Sequence, residues 1–441
     1  MFNEQQWLPT SELKEKLSTP RNTRIVINHE GHSKVSLTRT HQTTLDPATQ
    51  LSKEVIAHLE DSKPAGIHIR NLGYFFDFIP SRLGLSKALD DSVRCILTAY
   101  TALLRRDAVV LRQDREEYYQ AVKSLRIACA DEKEALSDET LCAAVLLSWY
   151  EVLADNLDES WFTHISGTSH IIKLRGPARH RSGFGLALLK AQEGLISGEA
   201  MATFQPCFLD DPAWCEILDD QNMVVGLPQT APLTVSNKIL AQLSTLLLEA
   251  RKLHNLSQKG IREIIKQLWG LRRTIKTALD QVTEMAEKDE EEFAPIICCK
   301  DSIYLILLDT TILKVLGFSD SKDPQLPETV QELQDLSLPP QTFTDVELFK
   351  QAIDSQIYQN FNTFLSNLAL ASKVTPFIMR KMAFMCRIMC VERGKREENP
   401  HPIWARYKRA ISGVNEPDWL SRIIASFKPI LPPANKSSGY Q

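Results

Sequence analysis

From Leu85 onward, apolar residues recur at the spacing of one helical face, and no other feature of the chain narrows its possible folds as far. Leu89, Val93, Ile96, Leu97, Tyr100, Leu103 and Leu104 fall on such a face, and Tyr118, Val122, Leu125 and Cys129 repeat it. Ser137 is a good N-cap, followed by Asp138 and Glu139 in the first turn, where the helix dipole favours anions. The helix it opens carries Leu141, Val145, Trp149 and Val152. Another helix begins at Trp161 and stops at Arg175-Gly176-Pro177, because Gly past a helix end and Pro directly after it oppose continuation. Farther on, Ile261, Ile265, Leu268, Ile275, Leu279 and Val282 keep near-heptad spacing. Val346, Phe349, Ile353, Ile357, Phe361, Phe364 and Leu368 do the same. Flanking charges are irregular along both runs, which predicts core-facing stripes of one bundle rather than dimer seams.

Composition supports that reading. The chain has 441 residues with only 17 Gly, and Leu outnumbers Gly more than three to one. Average usage would give about 31 Gly. Few Gly and many Leu favour long helices over sheets that need Gly-dependent tight turns. The expected fold is therefore all-α, a multi-helix bundle or array. At about 150 residues per domain the length allows three domains, and one large helical domain also fits. Residues 1–70 read as an N-terminal arm, with a short hairpin around Arg24–Leu37 and a polar linker over Thr38–Gln50. Residues 71–430 read as the helical domain. Its halves, 71–208 and 233–430, are joined by a Pro- and Asp-rich break over Leu209–Pro232. Ser319–Thr344 reads as a polar loop, and residues 431–441 as a flexible tail.

Charge and cysteine usage exclude several function classes. Lys plus Arg is 51 and Asp plus Glu is 55, a net charge of −4, without the basic excess of a compact nucleic-acid-binding domain. Met1–Pro20 lacks a secretory pattern, and the apolar run Ile303–Leu308 falls far short of the ~18 residues of a membrane span. These features predict a soluble intracellular protein without membrane association. The nine cysteines are scattered, none precedes Cys95, and no Cys-x-x-Cys occurs. Reduced, mostly buried thiols are expected, with no metal and no cofactor. There is no Gly-x-Ser-x-Gly, Gly-x-Gly-x-x-Gly, P-loop or His-Glu-x-x-His motif.

A few residues remain as candidates. His164 and His170 stand about 600° apart around their helix, hence on different faces, and cannot readily share a metal. His29 and His32 bracket the hairpin turn, where turn chemistry explains them equally well. Cys386 and Cys390 are four residues apart on a helix that also holds Met379, Met382, Met385 and Met389. Core filling explains that loose stripe, and so does a plastic cavity for a small apolar ligand, since Met re-packs easily. Glu287–Glu292 is an acidic run of the solvated kind, and Lys173, Arg175, Arg179 and Arg181 form a modest basic cluster. His164, Arg175, Met382 and Met385 are the candidate ligand-cavity residues. No catalytic residue is assigned.

Three stretches carry a family resemblance. One is Phe78-Ile-Pro-Ser-Arg-Leu-Gly-Leu-Ser-Lys-Ala-Leu-Asp90 with the following Val93–Leu104. The second runs from Ala135-Leu-Ser-Asp-Glu-Thr-Leu141 through Trp149-Tyr150-Glu151. The third is Trp161-Phe-Thr-His164-Ile-Ser-Gly167, then Ile171-Ile-Lys-Leu-Arg175-Gly-Pro177, then Phe204 to Trp214. In this order they resemble the regulatory, or middle homology, region of fungal Zn2Cys6 zinc-cluster transcription factors. The six-cysteine zinc module of that family is missing here, and Lys190–Gly194 lacks the Arg commonly found in that segment. The resemblance implies the helical regulatory fold and a regulator or coregulator of fungal gene expression, in a secondary-metabolite setting. Such a protein is expected in the nucleus, shared with the cytoplasm. It would work through protein partners, such as a zinc-cluster transcription factor, or by sensing a small apolar ligand, without direct nucleic-acid binding. The alternative is a helical scaffold repurposed as a cyclase-type biosynthetic enzyme, whose chemistry needs only a shaped cavity and a few polar groups. A third reading is a truncated gene model whose zinc cluster lies on an upstream exon.

Overall fold

The structure, a computed structural model, describes residues 46–61, 67–105, 115–154, 159–203, 205–219, 231–287, 294–319, 323–333, 345–374, 376–383 and 400–415. The expected hairpin, the acidic run after Glu287, Cys386, Cys390, Met385, Met389 and the tail lie outside these residues. Among the described residues every regular element is a helix, so the fold is all-α.

The first helix starts within the stretch read as linker. Asp46 accepts a hydrogen bond from the Thr49 amide (3.3 Å), Pro47 occupies the first turn, and α1 (Pro47–Glu60) buries Leu51, Val55 and Leu59. The cap and the preset φ of Pro47 outweigh the polarity of the surrounding sequence. Short 3-10 turns follow at Ile69–Leu72, Tyr74–Phe78 and Pro80–Arg82, carrying Phe75, Phe76 and Ile79 into the core.

Five longer helices then build the first half: α2 (Lys87–Arg105), α3 (Arg115–Ala130), α4 (Asp138–Leu153), α5 (Glu159–Arg175) and α6 (Gly183–Thr203). The stripe read on α2 is buried from Leu89 to Leu103, and α2 packs against α3 and α4. Ser137 caps α4 as expected, its hydroxyl accepting from the Thr140 amide at 3.0 Å. Every residue from Thr140 to Leu153 is buried, which makes α4 the central rod of this half, touching α2, α3, α5 and α6. Helix α5 ends where the sequence says it must, with Gly176 at φ 74°, a conformation that only Gly adopts without strain.

The Pro- and Asp-rich break carries structure of its own, a 3-10 turn at Phe208–Asp210 and α7 (Pro212–Asp219). Helix α8 (Ala231–Glu249) packs against α6 on one side and α9 (Gln258–Glu287) on the other. The second half centres on α10 (Ala294–Ser319), buried continuously from Ala294 to Ile312. The two near-heptad stripes close on it from α9 and α12 (Val346–Val374). Ile261, Ile265, Leu268, Ile275 and Val282 of α9, and Phe349, Ile353, Ile357 and Phe364 of α12, are all buried. They are core stripes.

The polar loop after Ser319 also holds a helix. Asp323 accepts from the Gln325 amide (3.0 Å) and starts α11 (Leu326–Leu333), whose Leu326 and Val330, one turn apart, are buried. Helix α13 (residues 376–383) and α14 (Ile403–Ser412) complete the described chain. One hydrophobic cluster runs from Leu51 to Val414 through both halves.

Candidate functional site

Several polar clusters interrupt this core among the described residues; the sequence-derived candidates sit in three of them, and a fourth is described beside them. The first joins α3, α4 and α5. Tyr118 donates its hydroxyl proton to Glu151 Oε1 (2.5 Å), and His164 Nε2 lies 3.0 Å from the same hydroxyl oxygen. Tyr118 has a single proton, already directed at the carboxylate, so His164 Nε2 must be the donor in the second bond. The Tyr118 ring stacks on Tyr150 with centroids 4.7 Å apart, and Glu151 is fully buried. Burial, helped by the charge of Arg126, pushes the His164 imidazole down to about 4. Burial and the Glu151 carboxylate push the Tyr118 phenol upward. At neutral pH the cluster therefore holds a neutral imidazole and a neutral phenol. His170 is exposed, on a different face of α5 from His164, as their angular separation requires.

Arg175 occupies the second cluster. It is buried at the end of α5 and reaches across to the start of α4, where it donates to Leu136 O (2.9 Å) and pairs with Asp138. Its Nε donates to His180 Nε2 (3.4 Å), and His180 Nδ1 donates to Gly185 O (2.8 Å). Burial pushes the His180 imidazole down, which keeps the neutral tautomer this relay needs. Gly185 is required sterically, since a Cβ there would lie 2.1 Å from Arg179 O. Every donor nitrogen of Arg175 is directed at a fixed protein group. It clamps two helix ends.

Met382 belongs to the third cluster, on α13. It is half-buried and packs on the core, while Met379 on the same helix is fully buried. Its neighbour Lys381 donates to Ala191 O on α6 (3.0 Å) and places its ammonium 4.5 Å from the centre of the Trp149 ring on α4. Burial pushes Lys381 down to about 7. Phe377, also on α13, meets Tyr100 of α2 at 6.3 Å. Helix α13 thus belongs to the second half by sequence and contacts the first half by packing. Met385 lies outside the described residues.

The fourth cluster escaped sequence reasoning. Arg272, on the buried stripe of α9, donates through Nε to Asp309 Oδ1 of α10 (2.5 Å). Asn360 of α12 donates to Asp309 Oδ2 (3.3 Å). Arg272 and Asp309 are 1% and 0% exposed, so the ion pair is fully enclosed. The guanidinium lies 4.8 Å from the Trp269 ring, which contacts Phe349 at 5.2 Å. Burial pushes the Asp309 carboxyl upward against the opposing pull of Arg272. The signal was present: Arg272 falls one turn after Leu268, at a position where the stripe demands an apolar residue.

Among the described residues no three His, Cys, Asp or Glu side chains gather as a metal site, and no helix is long and apolar enough to cross a membrane. The clusters hold helices together, each joining side chains or backbone groups of different elements. Comparison with known proteins places this architecture. An uncharacterized protein of Emericella nidulans is similar to the chain, 32% identical over 130 residues. The shared stretch is 30% of this chain and spans only 28% of that relative's length. No solved structure matches the chain. The fungal specific transcription factor domain, by contrast, matches residues 95–403, from the middle of α2 to the start of α14 and through all four clusters. The chain belongs to the fungal specific transcription factor domain family.

Proposed function

We propose that this chain regulates fungal gene expression as a transcription regulator or coregulator, acting in the nucleus through protein partners and through a small molecule sensed in its helical body. The observation that carries the reading is the family match over residues 95–403 in a chain whose first cysteine is Cys95. The matched domain supports the regulatory role. The sequence before it offers no cysteines for a zinc cluster, and the net charge of −4 offers no basic surplus for phosphate contacts. In this reading DNA contact is supplied by a partner, for which a zinc-cluster transcription factor is the natural choice. The secondary-metabolite setting rests on the resemblance alone.

Transcript and metabolite profiling of a deletion strain tests this directly. Coordinated changes in the transcripts of a gene set are expected, while the purified chain alone leaves the promoters of those genes unshifted in a gel. Tight sequence-specific binding by the chain alone would overturn the partner-mediated reading. The biosynthetic-enzyme reading finds its structural support in the half-buried Tyr118–Glu151–His164 cluster, which sets a phenol, a carboxylate and an imidazole within reach of one another. Accumulation of a pathway intermediate with unchanged transcripts would favour it instead.

A further inference from the structure

In the Arg272 cluster an enclosed cation is incompletely satisfied. Arg272 is 1% exposed, yet only its Nε is engaged, by Asp309. Among the described residues neither Nη1 nor Nη2 has a hydrogen-bond partner. A guanidinium presents five N–H donors, so four of them are enclosed in the core without an acceptor. Leaving such donors unmet is costly, more so for a charged group than for a neutral one. An evolved core would exclude an arginine from a stripe of Ile and Leu unless those donors had a use.

The surroundings limit what can meet them. Asp309 already balances the charge of Arg272. The pair is neutral as a unit. A second anion would leave the enclosed site with a net negative charge, at a large desolvation cost. A neutral acceptor adds hydrogen bonds and leaves the charge at zero. Aromatic surface adjoins the guanidinium on one side, with the Trp269 ring 4.8 Å away and Phe349 beyond it. We propose that Arg272 Nη1 and Nη2 bind the carbonyl-type oxygen of a small, neutral, mainly apolar molecule where α9, α10 and α12 meet. Asn360 acts as a positioning residue, holding Asp309 so that Nε is fixed and both Nη groups stay available to the ligand. This deepens the small-molecule reading above and rests on it.

Direct binding to the purified full chain tests the site separately from the regulatory role, which transcripts test. Coumarin and cyclohexanone are the neutral carbonyl probes. Naphthalene and 2-naphthoate serve as the matched hydrocarbon and anion. Calorimetry and thermal shift should show at least one carbonyl probe binding at millimolar concentration or tighter, about tenfold better than either comparison compound, since each hydrogen bond to a charged donor supplies a discrimination of that order. Arg272→Met alone strands the Asp309 carboxylate and is expected to lower Tm sharply. The paired variant Arg272→Met/Asp309→Asn removes both charges and keeps an acceptor for Asn360. It should fold and lose about tenfold or more in affinity for the carbonyl probe. A structure of the complex should place the carbonyl oxygen within hydrogen-bond distance of Nη1 or Nη2. The proposal is overturned if neither carbonyl probe binds, if 2-naphthoate binds more tightly than both, or if the paired variant binds as well as the native chain. Ordered waters on both Nη groups in a complex that holds the probe elsewhere would overturn it too.

Discussion

At the residue scale the informative groups are charged or titratable side chains held largely inside the fold. His164 shows how burial converts to a pH effect. Its imidazole is held at about 4 in the folded chain, against about 6.5 for the unfolded one. The unfolded state therefore binds more protons between those limits. Stability attributable to His164 is complete above pH 6.5 and is lost as the pH falls toward 4, by up to about 3 kcal/mol. His164→Gln retains an N–H donor for Tyr118 and cannot titrate. Thermal unfolding followed from pH 7 to pH 4 should show a flatter Tm profile for the variant than for the native chain, and parallel profiles would contradict the assignment. Glu151, Tyr118 and Arg126 are common to both proteins, so the difference isolates the imidazole. Arg175 illustrates the opposite use of a buried charge. With Leu136, Asp138 and His180 all engaged, its role is to lock the end of α5 onto the start of α4.

At the scale of elements, caps and stripes separate what each contributes. Ser137→Ala removes the acceptor for the Thr140 amide and should cost about 1 kcal/mol. Ile265→Ala, in the buried stripe of α9, should cost about 2–5 kcal/mol, because both the transfer energy and a cavity are involved. Chemical denaturation of the two variants should rank them in that order with little change in m-value, and a larger loss for the cap would refute the burial argument. These same elements mark how far the sequence could be read. The α4 cap, the Gly176 stop and both near-heptad stripes follow from local chemistry, and all are found in place. Helix α1 and helix α11 were missed because each lies in a polar stretch and is only a few turns long, so its periodicity is thin. The Arg272–Asp309 pair was missed for a different reason. A single charged residue on a stripe looks like a gap, and its partner lies 37 residues away on another helix. Periodicity reveals a face but not what that face meets. Candidate ligand residues suffered from the same blindness: His164 and Arg175 stood out by type, yet their partners come from neighbouring helices.

At the scale of the molecule, the shared core makes the two halves interdependent. Helix α8 bridges α6 and α9, and α13 returns from the second half to meet Trp149 and Tyr100 in the first. A protease site engineered between residues 220 and 230 should therefore give two pieces that co-elute in native size-exclusion chromatography and separate only in denaturant. Elution as two independent bodies would show that the halves are separable after all. The central rod α10 has a consequence for how the protein is made. It is buried on all sides over most of its length, and its cover on one side, α12, ends at Val374, 55 residues after α10 ends at Ser319. At ~5–20 residues per second, translation of that interval takes roughly 3–11 s. During those seconds a nascent chain displays a helix-long greasy surface with one flank open. Heavy demand on chaperones during synthesis, and poor yield from fragments that stop before α12, follow from the placement of a single helix.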